Sequence, residues 1–228
     1  MVLVFGASGA AGGCVLDMCL AAPEVKEVRA VVRRPLGTSH PKLREIRHAD
    51  FMNYSGSEQI FAGVDACLFC LGKSVTQVSG EPEYRRITCD FALAAALALR
   101  EQSPDAVFHY VSGKGASLTS RFMWARVKAE AERAVIERVN AVSWRPAGID
   151  GKPSASEPLI FKIARPAYRL FRPFRGLYVS GDDIGRAMLQ AMHDDVRGRI
   201  IENAELRDLA DRRRASQAAA GVRTIASR

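Results

Sequence analysis

The sequence lacks any apolar run near the roughly 18 residues that a membrane span needs, and no charged leader precedes its first strand-like stretch, Met1-Val2-Leu3-Val4-Phe5. Neither a transmembrane helix nor a signal peptide is expected. Cysteine is scarce. Cys14, Cys19, Cys67, Cys70 and Cys89 are an odd set lying in apolar segments, which argues against a disulfide framework and for a reducing compartment, so a cytoplasmic location is expected. Cys67 and Cys70 form a C-x-x-C inside the strand-like run Ala66-Cys67-Leu68-Phe69-Cys70-Leu71. Strand alternation sends them to opposite faces, so they are expected as structural thiols. The four histidines, His40, His48, His109 and His193, have no ligand spacing, and no metal site is expected. Net charge is +8, but aromatics are only 7% of the chain and do not interleave with basic clusters. Nucleic-acid binding is therefore not expected. Half of the excess charge lies at the end, where Asp211 to Arg228 holds five arginines and one acid. That alanine- and serine-rich stretch is expected to be a disordered basic tail over residues 210–228.

The remaining composition is that of a folded body: 228 residues, 48% hydrophobic and 25% charged, enough for one substantial core. Short aliphatic runs alternate with helical patterns, the signature of βαβ units. Strands are expected at Val2–Phe5, Val28–Val32, Leu43–Arg47, Ala66–Leu71, Ala106–Val111 and Ala141–Arg145, with helices at Ala10–Ala21, Gly56–Phe61, Tyr84–Arg100 and Arg121–Val139. After Pro146 the alternation loosens, and Ser154–Gly176 followed by Ser180–Met192 reads as a smaller, mostly helical region over the sheet's carboxyl edge. The expected fold is α/β: a Rossmann-type doubly wound parallel sheet, residues 1–209, with core 1–150 and a lid or substrate region at about 151–195. In such a sheet ligands sit outside the carboxyl ends of the strands.

The first strand runs into Gly6-Ala7-Ser8-Gly9-Ala10-Ala11-Gly12 and then a helix, the context that makes a glycine pattern informative. Gly6 permits a sharp turn, Gly9 lets the backbone approach a pyrophosphate, and Gly12 allows close helix–strand packing. The free amides of the helix start would face the phosphates. About twenty residues on, a site for NAD(H) usually carries an acid for the ribose 2′-hydroxyl. Arg33-Arg34 stands there instead. Two permanently charged guanidiniums suit a 2′-phosphate, so NADP(H) is the expected cofactor. After the third strand, the Asp50 carboxylate and the Phe51 backbone amide are placed to bind adenine.

These residues, with Cys70-Leu71-Gly72, Ser112-Gly113-Lys114-Gly115-Ala116, Val127-Lys128, Arg145-Pro146, Arg186-Ala187-Met188-Leu189 and Glu202-Asn203-Ala204, resemble the atypical branch of the short-chain dehydrogenase/reductase superfamily, in the group of the Tat-interacting oxidoreductase. The likeness spans Val2 to about Leu209. It implies that Ser8, Gly9, Ala10 and Ala11 line the phosphates, that Leu71-Gly72 passes the adenosine ribose, and that Ile149 faces the nicotinamide. It also implies catalysis by a Y-x-x-x-K pair, in which the ammonium lowers the phenol's pKa and holds the nicotinamide ribose. Lys128 is present, but four positions earlier stands Trp124. An indole does not titrate usefully and cannot be the general acid. Ser112 matches the family's serine and could orient a carbonyl oxygen. Tyr110 and Tyr84 are the candidate displaced phenols, although Tyr110 lies within a strand pattern.

Lys162, Arg165, Arg169 and Arg172 recur at helical spacing beside Phe161, Ala164, Tyr168 and Phe171, interrupted by Pro166 and Pro173. Such a segment can lie on an anionic membrane or cover an anionic ligand. A lid over the cofactor is the expectation. The expected function is reduction of a small carbonyl substrate; the alternative is a catalytically impaired, NADPH-dependent regulator acting on a protein partner.

Overall fold

The computed structural model describes residues 1–153 and 169–226. A seven-stranded sheet is built from β1 (Val2–Phe5), β2 (Val28–Val32), β3 (Leu43–Arg47), β4 (Ala66–Phe69), β5 (Val107–Val111), β6 (Ala141–Arg145) and β9 (Arg199–Glu202), in the order β3-β2-β1-β4-β5-β6-β9. Every pairing in it is parallel. β1 is apolar and buried along its whole length, as a strand covered on both faces must be. It pairs on one side through Val2↔Val28 and on the other through Val2↔Ala66. The chain order reverses between β1 and β4, so a crevice opens beyond their carboxyl ends.

Helices α1 (Ala10–Ala21), α5 (Gly181–His193) and α6 (Asn203–Ala226) belong to one side of the sheet, where α1 and α5 bring Val15, Leu16, Ile184 and Met188 onto Val4, Leu68, Val142 and Trp144. The opposite face gathers Phe5, Phe51, Phe61, Phe69 and Phe108 under α3 (Phe91–Gln102) and α4 (Met123–Ile136). On α3 the small residues Ala92, Ala95 and Ala96 form the buried stripe. The helix expected from Tyr84 instead begins as α2 (Glu81–Arg85), with Pro82 in the first turn, where its missing N–H costs nothing. It continues through a π-helical turn, Arg86–Asp90, into α3. Cys67 joins one core and Cys70 packs against the other, as alternation requires. Burial pushes both thiols up, away from reactivity.

Three elements escape the sequence reading. β7 (Gly148–Asp150) and β8 (Tyr178–Ser180), of three residues each, pair in parallel as a separate ribbon. β9 is short, carries charge at both ends and lies on the sheet's edge. Where a short helix was expected at Gly56–Phe61, only a 3₁₀ turn, Glu58–Ile60, forms. Most of the expected lid segment lies outside the described residues; within it, Arg169–Phe171 is a 3₁₀ turn.

The disordered tail expected from residue 210 is corrected: α6 continues to Ala226. Alanine is the strongest helix former, and Leu206, Leu209, Ala210 and Arg213, spaced as one helical face, are all buried. The arginines are largely spent on internal pairs: Arg213 with Glu24, Arg214 with Asp183 and Asp211, and Arg212 with Asp194 at 3.3 Å.

Candidate functional site

The site begins where β1 ends. Gly6 has φ +76°, and a Cβ there would lie 2.7 Å from the carbonyl of Cys70 and the nitrogen of Leu71, so the turn presses directly on the end of β4. A Cβ on Gly12 would lie 2.1 Å from the Gly6 carbonyl oxygen. Gly9 donates its N–H to that same oxygen at 2.9 Å. It caps α1 in extended conformation with no side-chain cap, and no acid lies in the first turn. Bare amides and the positive end of the helix dipole are thus left at the switch point, an arrangement that suits an anionic diphosphate. Gly12→Ala is expected to abolish dinucleotide binding and lower Tm, because the clash is with backbone that cannot swing aside; nucleotide titration and a thermal melt check it.

At the end of β2, Arg33 and Arg34 are both exposed. Neither makes an ion pair or hydrogen bond with any described residue. The Glu45 carboxylate is instead taken by the Leu36 N–H at 3.2 and 3.3 Å. Beyond β3, Asp50 is exposed and accepts from the Met52 N–H at 3.0 Å through Oδ1. The Phe51 ring is core, in edge contact with Phe5 at 6.0 Å. His48 stacks on Tyr54 at 4.8 Å and fixes this turn through the carbonyls of Asp50 and Asn53. After β4, Leu71 is half-buried and Gly72 exposed, with open space around it.

At the end of β5, Ser112 is buried, and its N–H donates to the Trp144 carbonyl at 2.8 Å. Its Oγ has no hydrogen-bond partner among the described residues. An orphaned buried hydroxyl at the carboxyl edge fits a waiting ligand oxygen. Lys128, one face of α4, donates from Nζ to the Ser112 carbonyl at 2.5 Å. Burial pushes its pKa down to about 8, opposed by the charge of Glu132. Trp124 is half-buried; its ring edge lies 3.6 Å from where a Gly115 Cβ would be, and it stacks on Phe122 at 6.4 Å. The Tyr110 hydroxyl is not a displaced phenol, since it sits in the core and donates to the Thr88 carbonyl at 3.0 Å. Tyr84 is sealed on α2, and burial raises its pKa.

Ile149, on β7, is partly buried at the margin of the core. Sequence reasoning missed what holds β7 there. Asp150 accepts from the Tyr178 hydroxyl and from Arg169, each at 3.0 Å. Asn203 accepts from the Ala147 N–H at 2.8 Å and donates to the carbonyls of Arg175 and Tyr178. The Lys152 N–H reaches the Ala10 carbonyl at 3.0 Å, and its ammonium pairs with Asp17. Only the Glu202-Asn203-Ala204 pattern pointed at any of this. A cleft of about 590 Å³ lies elsewhere, along α4 and β9, over the buried Glu132. Its Glu132–Arg145 pair, with contacts of 2.9 and 2.6 Å, ties α4 to β6.

No protein-family profile matches the chain. Among curated proteins it is similar to the mitochondrial protein FMP52 of Eremothecium gossypii, 29% identical over 218 residues, 91% of this chain and 96% of that one. The FMP52 protein of Saccharomyces cerevisiae is 27% identical over 81% of this chain and 84% of its own length. Protein HTATIP2 of Rattus norvegicus is 28% identical over 60% of this chain and 56% of its own length. Among solved structures, the dTDP-glucose 4,6-dehydratase DesIV from Streptomyces venezuelae, with NAD and TYD bound, superposes with TM-score 0.68 at 16% identity, covering 92% of this chain and 79% of DesIV. WbmH of Bordetella bronchiseptica, in complex with NAD+, gives 0.64 at 16% identity, covering 91% of this chain and 78% of that one. The expected cytoplasmic location is corrected by the fungal relatives, which are named as mitochondrial proteins; scarce cysteine reports a reducing compartment, not which one. In fold the chain is a Rossmann-type α/β protein like the NAD-bound structures it superposes on, and in sequence it is similar to FMP52 and HTATIP2.

Proposed function

We propose that the chain binds NADP(H), with the diphosphate on the Gly6–Gly12 loop and the 2′-phosphate between Arg33 and Arg34, and that its carbonyl-reducing route lacks the usual proton donor. The observation that carries this is the exposed arginine pair at the end of β2, unpaired among the described residues, beside a helix start with no side-chain cap and no acid. Guanidiniums kept free of internal carboxylates remain available to a ligand phosphate. When bound, the nicotinamide supplies hydride chemistry. Lys128 would hold the nicotinamide ribose and Ser112 Oγ a substrate oxygen, with Ile149 behind the ring. Trp124 occupies the phenol's position, so occupancy by NADPH, rather than turnover, is the output this site supports best.

A second reading, reduction of a small carbonyl substrate, is favoured by the unpartnered Ser112 Oγ next to a lysine whose pKa is about 8. Lys128, or a water held between the two groups, would then deliver the proton.

NADPH fluorescence titration tests the binding reading. If the Lys128 ammonium holds the ribose, affinity should weaken by about tenfold as pH rises from roughly 7 to 9.5, the scale of one charge-assisted hydrogen bond. Lys128→Met should bind weakly at every pH, with that step gone. Stability of the free protein runs the other way. Burial holds the native pKa below the unfolded value of 10.5, so the unfolded chain binds more protons between the two values and stability rises with pH across that window. Lys128→Met should flatten this rise in thermal melts. Absence of NADPH binding at any pH would sink the proposal.

A further inference from the structure

Nine large hydrophobic side chains are exposed among the described residues, and four of them fall within eight positions: Leu170 at 77%, Phe171 at 44%, Phe174 at 59% and Leu177 at 49%. Single exposed apolar residues are ordinary, but a cluster this dense marks a contact surface. The segment is not loosely attached. Arg169 pairs with Asp150 at 3.0 Å, and Arg175 with Asp208 and Asp211 at 2.7 Å each. Asn203 donates to the Arg175 carbonyl at 2.6 Å, Arg207 to the Arg172 carbonyl at 2.9 Å, and Lys114 to the Gly176 carbonyl at 2.5 Å. Successive turns close through Phe174 N–H to the Phe171 carbonyl and Leu177 N–H to the Phe174 carbonyl, at 2.9 and 3.0 Å. Polar contacts pin the segment to the body while its apolar side chains are left in solvent.

Within the segment itself charge has one sign, although Asp150, Asp208 and Asp211 of neighbouring elements pair with two of its arginines. Residues 169–177 contain three arginines and no acid. The side chains of Arg172, Arg207 and Lys114 make no ion pair with any described residue. Apolar side chains flanked by cations that have no carboxylate partner among the described residues match the interfacial layer of an anionic bilayer, where the rings enter the acyl boundary and the cations meet lipid phosphates. A second copy fits less well, because an isologous contact brings the same basic patch of both copies together. Eight residues also fall short of the roughly 800 Å² per partner of a stable protein interface. Nor is a span available, since no helix among the described residues is long and apolar enough to cross a membrane.

We propose that Leu170, Phe171, Phe174 and Leu177, with Arg172, Arg207 and Lys114, form a docking surface for anionic lipid bilayers. Lys114 lies two residues past Ser112, so this surface borders the candidate site. The test is co-flotation of the full chain with vesicles of phosphatidylcholine alone or mixed with phosphatidylserine, at low and high salt. The wild type is expected to float with the anionic vesicles, less so at high salt, and to stay behind with the neutral ones. Phe171→Ser/Phe174→Ser and Arg172→Glu should each lower the floated fraction by about tenfold, given that binding scales with buried apolar area and with charge. Leu170→Ser, at the most exposed position, serves as the mildest variant, and thermal melts confirm that all remain folded. Wild type left in the lipid-free fraction, or variants that float as well as wild type, would overturn the proposal. So would a dimer on size exclusion that Phe171→Ser/Phe174→Ser converts to monomer, which would assign the patch to a second copy.

Discussion

Trp124→Tyr is expected to raise carbonyl reduction with NADPH by about 10²–10⁴-fold over a wild type that binds the cofactor and reduces little, the usual worth of a positioned general acid. The indole N–H can donate a hydrogen bond but cannot release a proton to a developing alkoxide. Everything around that position is ready for a phenol. Trp124 lies one helical turn before Lys128, so the two side chains share a face of α4. The Lys128 ammonium, with a pKa of about 8, would favour the phenolate, and Ser112 Oγ has no partner among the described residues. Trp124 is half-buried, beside the Gly115 turn and Phe122, so exchange for a smaller ring costs little packing in the core. The measurement is NADPH consumption across a panel of aldehydes, ketones and quinones. Robust turnover by the wild type would show that another group delivers the proton, and the occupancy reading would lose its main support.

How much of this was legible depends on whether the signal was local. β1, the glycine loop and α1 were read with their observed ends, because an apolar strand, three glycines at fixed spacing and a helix stopped before Pro23 each act over a few residues. Trp124 was legible as a departure because the lysine that gives it meaning lies four residues away. The ribbon of β7 and β8 was not, since each strand has only three residues and its partner lies some thirty positions off. Asp150 gains its place only once Tyr178 and Arg169 arrive from that distant segment. The last helix misled for the opposite reason. Its arginines read as a solvated charge run, whereas Arg213 finds Glu24 near the other end of the chain and is buried by that pairing. β9 shows the same limit, because an edge strand with charged ends carries almost no pattern of its own.

Cofactor choice is the second large effect. Arg33 and Arg34 sit at the carboxyl end of β2, the strand beside β1, exposed and without partners among the described residues. A 2′-phosphate there would gain two charge-assisted contacts that a 2′-hydroxyl cannot offer. Loss of such contacts costs about 1.5–3 kcal/mol, which is at least about tenfold in Kd. Both arginines are solvated in the free protein, so removing them should leave the fold and Tm unchanged and move only the selectivity.

Calorimetric titration of wild type and Arg33→Ala/Arg34→Ala with NADPH and NADH therefore tests the account most directly. It predicts that wild type binds NADPH at least about tenfold more tightly than NADH, and that the double variant loses the preference while keeping its NADH affinity. Equal affinities in the wild type, or a preference that survives both substitutions, would contradict it.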